Sequence, residues 1–400
     1  MASALPDNPS LDRIRADART LQRAVRAADA DARATVLRHH PRAEIALART
    51  DFALHDAQLT VARGHGFSGW PALVRYLQLA AGLSVDPGSV DEDALPLPDL
   101  FCAMAALRYD GADAPPRWQA AAELLTGQPD LVGGHIWAAA AAADPDALRY
   151  HLRTGAPDAK GGPYGWSPLM YLAYSRVPGA AVAAARLLLD AGADPDGGYL
   201  WRGMSTPFTV LTGVFGEGEQ GARRQPRHPQ ADELATLLLE RGAHPADQQT
   251  LYNRMFRADD GHLRLLFAHG LADAAPSPWE RRLGEAMETR AQMWQRQVHW
   301  AAERGFADRL ALLARHGVDT SAARLRPVTF PADPNLRDDD GATPLHHAAW
   351  DGDLALIARL LAAGADPGVT DARFGATPLG WAEHAYQSEA ADLLRGVGSG

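Results

Sequence analysis

The sequence predicts an all-α fold: a solenoid of stacked helix-turn-helix repeats with short β-turn or hairpin tips, preceded by a small helical N-terminal domain. Three observations carry this. "GATPLHHAAWDGDLALIARLLAAGADP" from Gly341 and "GATPLGWAEHAYQSEAADLLRGVG" from Gly375 line up at an offset of 34 residues. Thr343 and Gly364 stand 21 residues apart, and the same ruler laid upstream falls on Gly134–Gly155, Gln249–Gly270 and Arg296–Gly317. Residues 10–81, ahead of the repeats, carry a helical pattern of apolar positions. A fixed period of this size marks units that each leave one apolar face uncovered and bury it by stacking.

From the N-terminus, residues 1–83 read as a helical N-terminal domain, and 84–98 ("SVDPGSVDEDALPLP") as a linker rich in proline, glycine and acid. The repeat array follows over 99–400. Its first repeat, 99–133, is degenerate. Ser167 to Gly192 exceeds the 21-residue ruler by four residues, and Thr206 to Gly242 by fifteen. The second excess falls between two helices, so the repeat starting at Thr206 carries an insertion. A single long helix is expected over Trp279 to Arg304.

The consensus residues have local reasons. The Thr343 hydroxyl can cap a helix, and Pro344 at the first helical position loses no hydrogen bond. The small pair Ala348 and Ala349 lets neighbouring helices approach, and Gly364 can end the second helix at positive φ. With its Thr-Pro-Leu-His start and Gly-Ala-Asp-Pro exit, the chain resembles the ankyrin repeat family over roughly residues 134–395. "AQLTVARGHGFSGWPALVRYL", from Ala57, is similar to a segment that precedes many bacterial ankyrin arrays, which usually carry Glu at the place of Gly64. "GGPYGWSPLMYLAYSR" and "GADPDGGYLWRG" resemble a subset of actinobacterial ankyrin proteins.

Bulk composition narrows the function classes. The chain has 400 residues, 46% of them hydrophobic, a net charge of −10 and one cysteine, Cys102. Without a second cysteine there is no intramolecular disulfide and no cysteine zinc cluster, so a reducing cytoplasmic location is expected. The longest apolar run, Ile136 to Ala143, is too short for a membrane span. No membrane association, metal or cofactor is expected. The acidic body disfavours nucleic acid, whose phosphates need a basic face, and points to a partner with a basic patch. His346 and His347 are adjacent and diverge on a helix, so they cannot chelate together; His346 reads as a structural hydrogen-bonding residue.

"GEGEQG" (216–221) matches the letters of the dinucleotide fingerprint, but "ARRQPRHP" follows where a helix should begin, and Glu217 and Glu219 would face phosphates. The match is better read as part of the inter-helix insertion.

In the family pattern, the inner face is formed by the residue before the Thr and by the fourth, seventh and eighth after it. The resemblance therefore implies a concave face carrying Trp166, Tyr171, Tyr174, Asn253, Phe256, Arg257, Trp300, Glu303, Arg304, His347, Trp350, Asp351, Trp381 and His384. Arg176, Trp201 and Arg202 join the candidates from the atypical third to fifth repeats. Aligned aromatics with arginine have the composition of a protein-binding hot spot, so a partner protein is the expected ligand. The alternative is a small-molecule pocket or noncanonical enzyme site over residues 165–260. It would be closed by the 216–229 insertion, with acid–base chemistry from Glu217, Glu219, His228, Tyr252 or Arg254.

Overall fold

A computed structural model describes residues 5–49, 51–325, 332–385 and 387–398. The described chain is mostly helical and divides into two compact units, one of residues 1–89, 198–208 and 275–293, the other of 90–197, 209–274 and 294–400.

The first unit is built on helices Leu11–Arg26, Ala30–His39, Leu54–Gly64 and Trp70–Ala81. Ser10 and Asp29 cap the first two with their side chains. Ile14, Leu73, Tyr76 and Leu77 form its core together with Leu200, Trp279 and Leu283, which arrive from far along the chain. Strand β1 (Ser84–Val85) pairs in parallel with β2 (Gly198–Trp201), and β3 (Pro207–Thr209) completes a three-stranded sheet, the departure from an all-helical chain. Tyr76 donates its hydroxyl to Gly203 O at 2.8 Å. The helix expected over Trp279 to Arg304 is two: Pro278–Leu283 and Arg290–Glu303, separated by a 3-10 turn at Gly284–Ala286. The Thr289 hydroxyl accepts from Gln292 N at 3.3 Å and starts the second helix afresh.

The second unit consists of successive helix pairs, among them Leu97–Ala105/Pro115–Gly127, Pro168–Tyr174/Ala181–Asp190, Gln248–Asn253/Gly261–Ala268, Pro344–Asp351/Leu354–Ala362 and Pro378–His384/Ser388–Gly398. First helices pack against the next first helix and second against second, as in Pro168–Tyr174 on Val210–Phe215 and Leu354–Ala362 on Ser388–Gly398. Thr343 stands at the N-cap with Pro344 behind it, and Gly364 takes φ 91° after the second helix. His346 has a structural role: Nδ1 accepts from Thr343 N at 3.0 Å, while Nε2 reaches Ala376 O of the next repeat at 3.1 Å.

The repeat start at Thr206 differs from the expectation. Thr206 caps nothing, because Pro207 and Phe208 continue as strand; Thr209 forms the capping box with Thr212. Thr209 and Thr212 both donate their hydroxyls to buried Asp247, which caps the following helix at Thr250 N. The polar side chain that ties these two repeats together thus sits three residues later than the consensus start.

Candidate functional site

The expected stripe divides into two parts with different fates. Trp166, Tyr171 and Tyr174 are buried, not exposed. Tyr171 Oη donates to Gly161 O at 3.0 Å and accepts from Tyr164 N at 2.9 Å; Tyr174 Oη donates to Thr209 O at 3.0 Å. Trp166 lies between them, its ring 5.3 Å from Tyr171 and 4.9 Å from Tyr174. The reason is the 161–166 turn, closed by the Gly161–Trp166 bridge, which folds rings into the stack that a consensus tip would leave outside. Arg176 is buried as well, donating to Pro226 O and Gly213 O at 2.7 Å each. Burial lowers its pKa to about 10, and its donors are spent on backbone carbonyls. Trp201 and Arg202 belong to the first unit, where the guanidinium lies 4.6 Å over the indole and Nε is 3.1 Å from Asp86.

From Tyr252 onward the stripe stays at the surface. Half-buried Tyr252 meets Phe256 edge-on at 5.3 Å, and Phe256 meets Trp300 at 5.1 Å. Arg296 and Arg304 lie over Tyr252 and Trp300, each at 5.0 Å. Arg304 then pairs with Asp351 of the next repeat. Trp350, 46% exposed, stands 5.8 Å from both Trp381 and His384, and His347 is 5.5 Å from Trp381. Apart from Tyr252, the rings come from the fourth and seventh positions of their repeats, and the packing of Pro344–Asp351 on Pro378–His384 brings Trp350 beside Trp381. Asn253 occupies a fourth position yet is buried, its Oδ1 accepting from Gln249 Nε2 at 2.8 Å. Arg257 pairs with Glu389 at 2.7 Å, and Glu303 with His299 at 3.3 Å. The fourth-and-seventh-position pattern missed Phe374, 67% exposed and 6.4 Å from Trp381, because it projects from a repeat tip.

The insertion folds as a strap against the second unit. "GEGEQG" follows helix Val210–Phe215 and precedes only the four-residue helix Gly221–Arg224, so the strand-turn-helix frame of a phosphate loop is absent. Buried Glu217 ion-pairs with buried Arg254, which also holds Asp259. The space a ligand would take between that carboxylate and guanidinium is filled by their own contact. Tyr252 donates its hydroxyl to exposed Glu219 at 2.5 Å. His228 is buried, its Nδ1 accepting from Gln230 N at 3.0 Å, and burial pushes its pKa down to about 3. Such an imidazole stays neutral and serves the turn rather than proton transfer near neutrality.

An open depression of about 620 Å³ in the first unit, lined by His65, Glu280, Glu285, Met287 and Glu288, left no signal in the sequence. Glu280 pairs with Arg290 at 2.8 Å, and Glu285 accepts from Ser68 Oγ at 2.9 Å. Among the described residues no group of three or more His, Cys, Asp or Glu side chains is placed to hold a metal, and no helix is long and apolar enough to cross a membrane.

No curated protein matches the chain. Residues 328–379 match the family described as ankyrin repeats (many copies), the stretch that holds Trp350, His347 and Phe374. The chain thus carries ankyrin repeats over those residues, and such repeats are generally protein-interaction modules.

Proposed function

We propose that the chain is a cytoplasmic binding protein, an ankyrin solenoid that holds a partner protein on the face bearing Tyr252, Phe256, Trp300, Trp350 and Trp381. The observation that supports this reading is two edge-to-face ring clusters, Tyr252–Phe256–Trp300 and Trp350–Trp381, left partly exposed while Tyr174, at the same repeat position as Phe256 and Trp350, is fully packed. Rigid amphipathic rings lose little side-chain entropy on binding and dominate hot spots, and interleaved arginines can satisfy polar groups at the rim.

The experiment compares the tagged wild-type chain with a Trp300→Ala/Trp350→Ala double variant in quantitative affinity purification from the source cells. A protein held by the wild type and reduced at least tenfold on the equally stable variant supports the reading, with direct binding then checked on purified components. Equal recovery of every retained protein on both chains would overturn it.

A further inference from the structure

Glu217 reaches Arg254 from an unusual backbone. Gly216, Glu217 and Gly218 all take positive φ, at 57°, 57° and 132°. Gly216 is sterically required, since a Cβ would lie 2.3 Å from backbone Pro226 O, and Gly218 is favoured by its φ of 132°. Glu217 has no such exemption, and a left-handed glutamate is strained. The strap is also closed on itself: Glu217 N donates to Gln225 O at 2.5 Å and Gly221 N to Gly218 O at 3.1 Å.

The closed pair is incompletely satisfied. The ion pair runs from Arg254 Nη1 to Oε1 of Glu217, while Oε2 is buried with no hydrogen-bond partner among the described residues, as is Nε of Arg254. A carboxylate free of this backbone can turn both oxygens toward a guanidinium, the stronger arrangement for such pairs. Arg254 follows Tyr252 at the end of helix Gln248–Asn253, and the second anchor of the strap, Glu219 on Tyr252, covers the first ring of the aromatic run.

We propose that Arg254 is a carboxylate-recognition site which the chain occupies in cis with Glu217, and which opens to a glutamate-bearing peptide segment supplied in trans. The chemistry of the occupant is that of the strap itself: a glycine-rich, acidic segment that sets one carboxylate on Arg254 and a second on the Tyr252 hydroxyl. The site borrows from the binding reading only its place beside Tyr252, and its test uses no partner of the aromatic face, so either idea can fail alone.

The first arm follows thermal unfolding of the full-length Glu217→Ala chain in sodium propionate, against sodium chloride at equal ionic strength. Propionate replaces the deleted side chain and raises the melting temperature of the variant saturably, as native-state ligands do, with no such rise for the wild type. The second arm measures anisotropy of a fluorescein-labelled peptide of residues 214–222. It binds Glu217→Ala at least tenfold more tightly than the wild type, and a peptide with both glutamates changed to glutamine does not bind. If the alanine chain fails to fold, Glu217→Gln, which keeps the side-chain volume, takes its place in the peptide arm. Equal peptide affinity for wild type and variant, or equal binding of the glutamine peptide, would overturn the proposal. Stabilisation by propionate without peptide binding would overturn the assignment to a peptide.

Discussion

Arg309 donates from Nε to Asp260 Oδ1 at 2.6 Å, with both side chains closed off from solvent. The same guanidinium holds the carbonyls of Met255 at 2.8 Å and Asp259 at 3.1 Å, so one side chain organises the loop between helices Gln248–Asn253 and Gly261–Ala268. Arg309→Leu leaves a buried carboxylate and the carbonyls of Met255, Arg257 and Asp259 without this donor. The expected loss is about 3–5 kcal/mol, the range for breaking a buried pair from one side. Urea denaturation measures it, and Arg309→Leu/Asp260→Leu recovers part of the loss. A single-variant loss below about 1 kcal/mol, the size of an exposed pair, would show that the contact does not hold the loop.

Gly216→Ala attacks the strap at its tightest point, where φ is 57° and the new methyl would meet Pro226 O at 2.3 Å. The left-handed conformation alone costs about 1–2 kcal/mol for a residue with a Cβ. The expected result is faster trypsin cleavage after exposed Arg223 at temperatures where the rest of the chain stays folded. Unchanged cleavage would mean that the turn at Gly216 is not what keeps the strap down.

Buried histidines lower the stability of the second unit as pH falls below neutrality. Burial, aided by Arg176, brings His228 down to about 3, and burial with Arg254 holds His262 well below the ordinary range. Above pH ~6.5 both states are neutral and the full stability is present. As pH falls from there toward 3, the unfolded chain takes up protons that the native chain refuses, so stability falls. Free energies from urea titrations at pH 7 and pH 5 should show the drop, and His228→Gln should make it shallower. Buried Asp113, raised to about 7, acts in the opposite sense over the same range, so the comparison between chains decides: the same pH dependence for wild type and His228→Gln would contradict the burial of that ring.

Asp371 behaves in the opposite chemical sense. Burial opposes its charge, but the N–H groups of Phe374 at 2.6 Å, Arg373 at 2.8 Å and Ala376 at 3.0 Å, with the Trp381 indole at 2.9 Å, hold its pKa down to about 2. This contribution is present above the ordinary carboxylate pKa of about 4 and is lost as pH falls toward 2. Asp371→Asn therefore lowers the melting temperature at pH 7 and flattens its acid dependence between pH 4 and 2. Because the indole is one of the donors, Trp381 fluorescence in the native variant should shift as well; an unchanged spectrum would argue that the ring is positioned by its neighbours alone.

Legibility in the sequence followed the range of the interactions. The helices at Pro344 and Pro378 could be placed because their caps, prolines and terminal glycines act within a few residues, and His346 could be given its structural role from its position in the motif. Phe256 lies beside Trp300 and Trp350 beside Trp381, as expected of fourth and seventh positions in adjacent repeats. The same rule misplaced Trp166, Tyr171 and Tyr174, since it counts position within a repeat and not what covers it. Thr209 was missed for a related reason: a local Thr-Pro pair at Thr206 resembled a helix start, while β-pairing of Pro207–Thr209 overrode it.

By itself, then, the sequence determined the repeated helix pairs and their order, both consequences of period, capping and backbone preference. Tertiary structure decided which of their faces remain open and what lies on them. The 161–166 turn buries one set of rings, and the strap brings Glu217 onto Arg254 and Glu219 onto Tyr252. These outcomes depend on segments far apart in the chain competing for the same apolar and charged surfaces, and no local pattern encodes which segment arrives.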